Sequence, residues 1–366
     1  MATSLNTIGA LGLRGLAVLA ACATAGGAAN GYSVETKERT LTDLLPGIHV
    51  IRHPDAPDGF PQGNTTVVIG EKGVLVVDAC LLPSSARQDI AQIRKWTDKP
   101  VLYLVNTHWH FDHTLGNRTY AEAFPNVQIV AHTETRRIIA DNNPGAMTRY
   151  AGRADRLRKL LDSGKKSDGT PLTDADRKDF EESIAGHPRV VEEFRSTSQL
   201  PPNVGFRDQL DIELGNRPVQ IRFLGPGNTA GDTVVHLPNE KILMAGDLVV
   251  HPVPYMFGGL PVDFVRTLRA LKELGAQVIV PGHGDIQRNN EYVDRVIDLM
   301  DTVNREIEKE VNDGLTLEEA QAAAPDRVDV NAWRRKFVGS NEDDGAFFDV
   351  SFAGLVKASY NQIKMR

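Results

Sequence analysis

Residues 107–117 read THWHFDHTLGN, which sets His108, His110, Asp112 and His113 within six positions. The whole chain has ten histidines, so three of them in one short stretch is a concentration that neither core packing nor a solvated face explains. His108 and His110 lie two apart, and on an extended segment such side chains point the same way. Asp112 and His113 follow where the strand must turn. This spacing lets two imidazoles hold one metal while Asp112 and His113 swing toward a second. Imidazole and carboxylate are the usual ligands of a hydrolytic zinc. Such a metal brings the pKa of water down to about 7, so a metal-activated hydroxide is available to attack a carbonyl, phosphorus or sulfur centre. Asp112 then has a catalytic role besides ligation, orienting the hydroxide and moving its proton to the leaving group.

Two later segments supply what the cluster lacks. LMAGDLVV puts Asp247 at the end of an apolar strand, and VIVPGHGD does the same for His283. FLGPGN ends a third strand at Asn228. Strand ends carried by a rigid sheet are where α/β architectures gather ligands. Taken singly, Asp247 reads equally well as a turn cap and His283 as a loop histidine. Their order behind the histidine cluster makes both candidate ligands.

Together these stretches resemble the metallo-β-lactamase fold superfamily. HWHFDH matches its H-x-H-x-D-H signature, and GPGNTAGD, AGDLVV and PGHGD resemble its later motifs in the same order. GNTTVVIGEKGVLVVDAC is similar to its opening strands, with Asp78 at a position that is usually acidic. The resemblance runs from about 42 to 310. It implies an α/β fold, a four-layer αββα sandwich of two similar halves, with a dinuclear metal site at one edge. By the same resemblance His108 and His110 hold the first metal, Asp112, His113 and His283 the second, and Asp247 bridges both. Zinc is the implied metal, two ions in number, with iron or manganese as the other candidates. His251, Tyr255 and Phe257 follow Asp247 and either line a substrate pocket or pack as ordinary loop residues. One position departs from the pattern. Asn228 stands where the superfamily has a third histidine, and an amide oxygen is a poorer, harder ligand. Asn228 is therefore a weak third position, with His132 or His251 as possible substitutes. The chain resembles exported β-lactamase-like hydrolases of a subgroup with asparagine at that place.

The elements that must position these residues are legible in outline. Dense β-branched runs at GIHVIRHPD, GNTTVVIGEKGVLVVDAC, VLYLVNTH and NVQIVAHTE read as strands, with a hairpin turn near Glu71-Lys72-Gly73. SSARQDIAQIRKWTD has helical spacing, with Ala86, Ile90 and Ile93 on one face and Ser84 or Ser85 as its cap. Residues 133 to about 202 are charged and poor in β-branched runs, which predicts an insertion of short amphipathic helices. Strands resume at VQIRFLGPGN, DTVVHLP, KILMAGDLVV and QVIVPGHG. The helix VDFVRTLRALKELG buries Leu268, Leu271 and Leu274 and ends at Gly275. From Asn290 the chain reads as helical, with a capping box at Thr316 and Glu319. This divides it into a hydrolase domain at 42–310 and a C-terminal helical extension at 311–366.

Composition narrows the function class. The chain has 366 residues, 41% hydrophobic, with a formal charge of −7. No basic stripe is present, which argues against nucleic acid as a partner and for a small-molecule substrate. Residues 1–30 carry a short apolar run with one charge, Arg14, then small residues. They read as an export signal rather than a spanning helix, and a plain Ala/Gly tail is the alternative. Leu19-Ala20-Ala21-Cys22 resembles a bacterial lipobox, whereas Ala23-Thr24-Ala25 reads as an ordinary cleavage site. The first makes a lipoprotein anchored through Cys22, the second a free periplasmic protein. The expectation is an exported metal-dependent hydrolase of an ester, lactone or amide. β-Lactam hydrolysis is one alternative. A binding module that lost turnover through Asn228 is another. The oligomeric state is not legible.

Overall fold

A computed structural model describes residues 38–166 and 171–366. The leader with Cys22 lies outside the described residues. Seven strands form a first sheet. The order is β1 (Thr40–Leu45), β2 (Ile48–Arg52), β3 (Thr65–Ile69), β4 (Val74–Val77), β5 (Val101–Val105), β6 (Gln128–His132) and β7 (Val204–Phe206). The first four pair antiparallel, β1–β2 and β3–β4 through tight turns and β2–β3 through the loop at 53–64, and β4 to β7 run parallel. A second sheet holds β8 (Gln209–Glu213), β9 (Pro218–Phe223), β10 (Thr233–Leu237), β11 (Ile242–Val250) and β12 (Val278–His283), with β12 parallel to β11 at one edge.

Period-two alternation sorts these strands into layers. Leu75 and Val77 of β4 face the second sheet, where they meet Val235, Ile242 and Met244. Val74 and Val76 face the other way, onto Ala86, Ile90 and Ile93 of α1 (Pro83–Trp96) and Tyr120 of α3 (Asn117–Ala123). In the second sheet Leu243 and Ala245 point outward onto α7 (Pro261–Glu273) and α8 (Glu291–Asn312). The result is helix, sheet, sheet, helix. Three further helices, α9 (Leu317–Arg327), α10 (Val330–Val338) and α11 (Glu342–Lys364), add Ala320, Phe337, Phe348 and Leu355 to that same outer core. No described helix is long and apolar enough to cross a membrane.

Several local expectations hold. Gly70 N–H bonds the Gly73 carbonyl at the β3–β4 hairpin, Gly275 takes a φ of 68° after α7, and Thr316 and Glu319 cap each other. Others do not. Helix α1 starts at Pro83 with Leu82 as its cap residue, so neither Ser84 nor Ser85 caps it. Proline supplies the helical φ and lacks the N–H that a cap would satisfy, and Ser84 instead binds Glu193 through its N–H and hydroxyl.

Between β6 and β7 run α4 (Thr133–Ala151), α5 (Arg153–Ser163) and α6 (Asp174–Arg195), the last 22 residues long rather than short. Their docking centres on Asp58. Its Oδ2 accepts from Tyr150 Oη at 2.6 Å and lies 2.8 Å from His187 Nδ1 and 3.1 Å from Arg153 Nη1. Its backbone carbonyl accepts from Arg153 and Ser183. Burial opposes ionisation of Asp58, but His187, Arg153 and Tyr150 outweigh it and hold the carboxyl below its usual range. Tyr150, Val190 and Phe194 then close an apolar cluster over Phe60, Phe111 and Leu115, directly behind the histidine-rich segment.

Candidate metal centre

Strand β5 ends at Val105 and the chain leaves the sheet edge in a loop, so His108 and His110 stand on a loop rather than on an extended strand. One helical turn, α2 (Phe111–Thr114), carries Asp112 and His113. Asp247 is not at a strand end. It sits inside the nine-residue β11, where pairing with β12 is irregular and Gly246 has a φ of 52°. That irregularity aims the Asp247 carboxylate past the edge of the sheet. His283 closes β12 as expected.

All six come together and all are buried. Asp247 lies between two groups of histidines. Its Oδ2 is 3.4 Å from His108 Nε2 and 4.0 Å from His110 Nδ1. Its Oδ1 is 3.3 Å from His113 Nε2 and 3.6 Å from His283 Nε2. Asp112 Oδ2 is 3.2 Å from His283 Nε2 and 3.5 Å from His113 Nε2. Two clusters could each hold an ion, His108/His113/Asp247 and Asp112/His113/His283.

Asp78 sets which nitrogens face inward. It follows β4, which pairs parallel to β5, and its N–H bonds the Val105 carbonyl. Its Oδ1 accepts Thr107 N–H at 2.8 Å, and its Oδ2 accepts the Thr107 hydroxyl at 2.8 Å. That hydroxyl has spent its one proton, so its 3.0 Å contact with His108 Nδ1 must be donated by the ring. His108 Nε2 is left as a lone pair, buried and without a hydrogen-bond partner among the described residues. His113 Nδ1 is 2.8 Å from Asp78 Oδ2, which likewise leaves Nε2 for the centre. One carboxylate thus fixes a histidine tautomer in each group.

The electrostatics require a cation. Among the described residues, histidines are the ion-pair partners of Asp112 and Asp247, with no lysine or arginine beside them. Burial opposes ionisation of both carboxyls, yet His113 and His283 pull both below the usual range. Burial also opposes charge on His113, but Asp247, Asp112 and Asp78 overcome it and raise its pKa well above the ordinary histidine value. Without a metal, a proton there takes the place of the cation. His110 goes the other way, down to about 3, through burial and then the neighbouring His108. His113 Nε2 and His283 Nε2 face each other at 3.1 Å, a spacing suited to two donors sharing an ion. Lone pairs, carboxylates and orphaned polar atoms all fit a pair of divalent metals.

Asn228 is buried, and among the described residues its Oδ1 and Nδ2 both lack hydrogen-bond partners. The candidate ion clusters contain neither proposed substitute. His132 caps α4 and stacks on Phe223 at 4.2 Å. His251 leans on Tyr292 and lies 3.8 Å from Asp285. Of the pocket candidates, Tyr255 is beside the centre, its ring 6.0 Å from that of His110, and Trp109 flanks the same ring at 4.6 Å. Phe257 packs between Tyr255 and Phe347 of α11. Sequence reasoning missed Asp232, which is buried, held by Thr229, and raised to about 6 by burial, with His108 and Asp247 as charged neighbours. Its place at the end of GPGNTAGD was the one available signal.

Comparison with known proteins gives the family and the fold. The model of the metallo-beta-lactamase superfamily matches residues 58–283. A linear primary-alkylsulfatase from Pseudomonas sp. is 28% identical over 259 residues, covering 68% of this chain and 47% of the relative. A type 2 metallo-beta-lactamase from Bacteroides fragilis is 33% identical over 90 residues, 23% of this chain and 36% of the relative. Among solved structures, a stereoselective inverting sec-alkylsulfatase from Pseudomonas sp. covers 88% of this chain and 50% of its own at 15% identity, with a TM-score of 0.60. The chain spans about half the length of that alkylsulfatase relative.

Proposed function

The chain belongs to the metallo-beta-lactamase superfamily; from that premise we propose that it is a metal-dependent hydrolase that cleaves an ester-type bond in a small molecule, alkyl sulfate esters ahead of carboxylic esters, lactones and amides. The observation that carries the reading is Asp247, whose two oxygens face two separate groups of imidazoles. On this assignment His108, His110 and, weakly, Asn228 serve one metal. Asp112, His113 and His283 serve the other, and Asp247 serves both. Two divalent ions, zinc first with iron or manganese as alternatives, supply Lewis acidity and acidify water toward neutral pH when bound.

The protein's own groups do the rest. The Asp112 carboxylate orients the water, takes its proton and returns it to the departing oxygen. An alkyl sulfate and one water thus become an alcohol and hydrogen sulfate. Asp78 keeps His108 and His113 presenting lone pairs. Tyr255 and Trp109 provide an apolar wall for an alkyl group. The sulfate ester preference rests on the long match to the alkylsulfatase, against a lactamase match over 23% of the chain. Residues 248–262 also contain no lysine to hold a substrate carboxylate. The leader read in residues 1–30 makes this an exported protein, and the mass of the mature N-terminus distinguishes an acylated Cys22 from cleavage beyond it.

The test is turnover by metal-free protein reloaded with zinc, iron(II) or manganese(II). The panel holds alkyl sulfates, chromogenic carboxylic esters, lactones and a chromogenic cephalosporin. Metal-dependent alcohol release from alkyl sulfates, lost in Asp247→Ala, is the expected result. Cephalosporin opening alone transfers the reading to β-lactams. No turnover with any metal leaves a binding module and overturns the proposal.

A further inference from the structure

Behind the candidate centre, on the outer side of the first sheet, lies a second group of metal-type ligands that the hydrolysis does not use. His53 follows β2, Cys80 follows β4, and Asp89 is in α1; all three are fully buried, and their donor atoms lie within 4.8 Å of one another. His53 Nδ1 is 2.8 Å from the Gly63 carbonyl, which can only accept, so that nitrogen carries a proton. His53 Nε2 then faces Asp89 Oδ2 at 2.8 Å. A lone pair and a carboxylate at that distance need a cation between them, either a proton or a metal ion. Asp89 Oδ1 is taken by Arg39.

Two neighbours favour the metal. Cys80 Sγ makes only a 3.7 Å contact with the Leu82 carbonyl, and the residue holds a φ of 53°, a region that L residues rarely occupy. The Tyr120 hydroxyl is fully buried, has no hydrogen-bond partner among the described residues, and has Asp89, Cys80 and Arg39 as its electrostatic neighbours. We propose that His53 Nε2, Cys80 Sγ and Asp89 Oδ2, with the Tyr120 oxygen available as a fourth donor, form a separate structural site for a zinc-like divalent ion. Sulfur and imidazole together select a borderline transition metal over magnesium or calcium. The exchange balances: one divalent ion displaces one proton from His53 Nε2 and one from Cys80 Sγ, so the buried charge is unchanged. The site also has a position that gives it use. His53 holds the Gly63 carbonyl, Gly63 N–H bonds the Asp112 carbonyl, and the Gly63 α-carbon lies against the His113 ring. An ion here braces the loop behind two ligands of the candidate centre.

Sulfur makes the test specific. The candidate centre has no thiolate, and Cys22 and Cys80 are the chain's two cysteines. Metal-free protein carrying Cys22→Ser is titrated with cobalt(II). The expected result is a near-ultraviolet thiolate-to-cobalt charge-transfer band, with one more metal bound than the candidate centre holds. Cys80→Ser should remove the band and that extra equivalent. Cobalt binding by the Cys22→Ser protein without a sulfur band overturns the proposal and leaves the proton between His53 and Asp89. That outcome is read without the Cys80 variant, should it fail to fold. It says nothing against the hydrolase, just as absent turnover says nothing against the band.

Discussion

Replacing Asp78 by asparagine should damage both metal positions at once, although Asp78 ligates neither. The amide has the shape of the carboxylate, so packing is preserved. Its oxygen must stay on Thr107 N–H, because a backbone donor cannot turn away and leaving it unpaired costs about 1–3 kcal/mol. The amide NH2 then occupies the place of Oδ2 and faces the Thr107 hydroxyl and His113 Nδ1. The hydroxyl accepts from it and donates to His108 Nδ1, which moves the His108 proton to Nε2. His113 is pushed to the same wrong tautomer. Losing an outer partner of a ligating histidine costs roughly 10–100-fold in metal affinity, about 1.4–2.8 kcal/mol for each position. The product of the two affinities should therefore fall by about 10²–10⁴. Competition against a chromogenic chelator measures it. Thr107→Val is the internal control, since it cuts the branch to His108 and spares His113, so it should weaken one metal alone. Asp78→Asn protein that holds both metals at unchanged affinity would refute the tautomer argument.

Other changes test the remaining parts. Asp112→Asn should keep most of its metal and lose turnover by about 10²–10⁴-fold; full metal with a normal rate removes its proton-handling role. Asn228→His should tighten the metal on the His108–His110 side, read by metal analysis after dialysis, and unchanged metal content shows that Asn228 is not a ligand position. Gly63→Ala would set a Cβ 2.5 Å from His113 Cε1, so turnover should drop by about 5- to 160-fold from a strain of about 1–3 kcal/mol while circular dichroism stays native. Asp58→Ala removes the carboxylate paired with buried Arg153 and should cost about 3–5 kcal/mol. Because the Asp58 pKa is lowered on folding, its contribution is present above the unfolded value of about 3.9 and is lost as pH falls through the folded one. Proteolysis of the α4–α6 segment should rise over that acid window in the native protein, and an Asp58→Asn variant should lack that step.

The parts legible in the sequence were those whose pattern is local. Val74 to Val77 alternate between two cores, and a β-branched run between Gly73 and Asp78 is enough to identify the strand. The histidine cluster is legible because one loop and one helical turn carry four candidate ligands. Strands β1, β7 and β8 escaped notice. TLTDLL and QLDIE are polar and mostly exposed, VGF is three residues long, and tertiary pairing rather than composition makes them strands. Asp247 was expected at a strand end because α/β folds gather ligands there, and the irregular β11–β12 pairing is what makes its place within β11 workable. The insertion's docking was hidden for another reason. Asp58 reads as a turn residue in PDG, and its partners Tyr150 and His187 lie 92 and 129 residues away.

The same distinction explains why Asn228 looks more serious in the sequence than in the structure. In a motif, a missing histidine is a missing ligand. In the fold, each metal position draws on both sheets: His108, His110, Asp112 and His113 come from the end of the first, Asp247 and His283 from the second. Direct hydrogen bonds lock those edges together, Thr233 N–H to the Thr107 carbonyl and Asn64 N–H to the Gly282 carbonyl, each at 2.7 Å. Asn64 Nδ2 adds bonds to the carbonyls of Pro281 and Gly284, on either side of His283. The donors are therefore held in place by the backbone before any ion arrives, and loss of one imidazole does not let the others drift. On the proposed assignment, what Asn228 changes is the softness of one donor on one side of a preorganised site. On that assignment the amide weakens the hold on one metal without opening the centre, and its Oδ1 and Nδ2 are buried with no hydrogen-bond partner among the described residues.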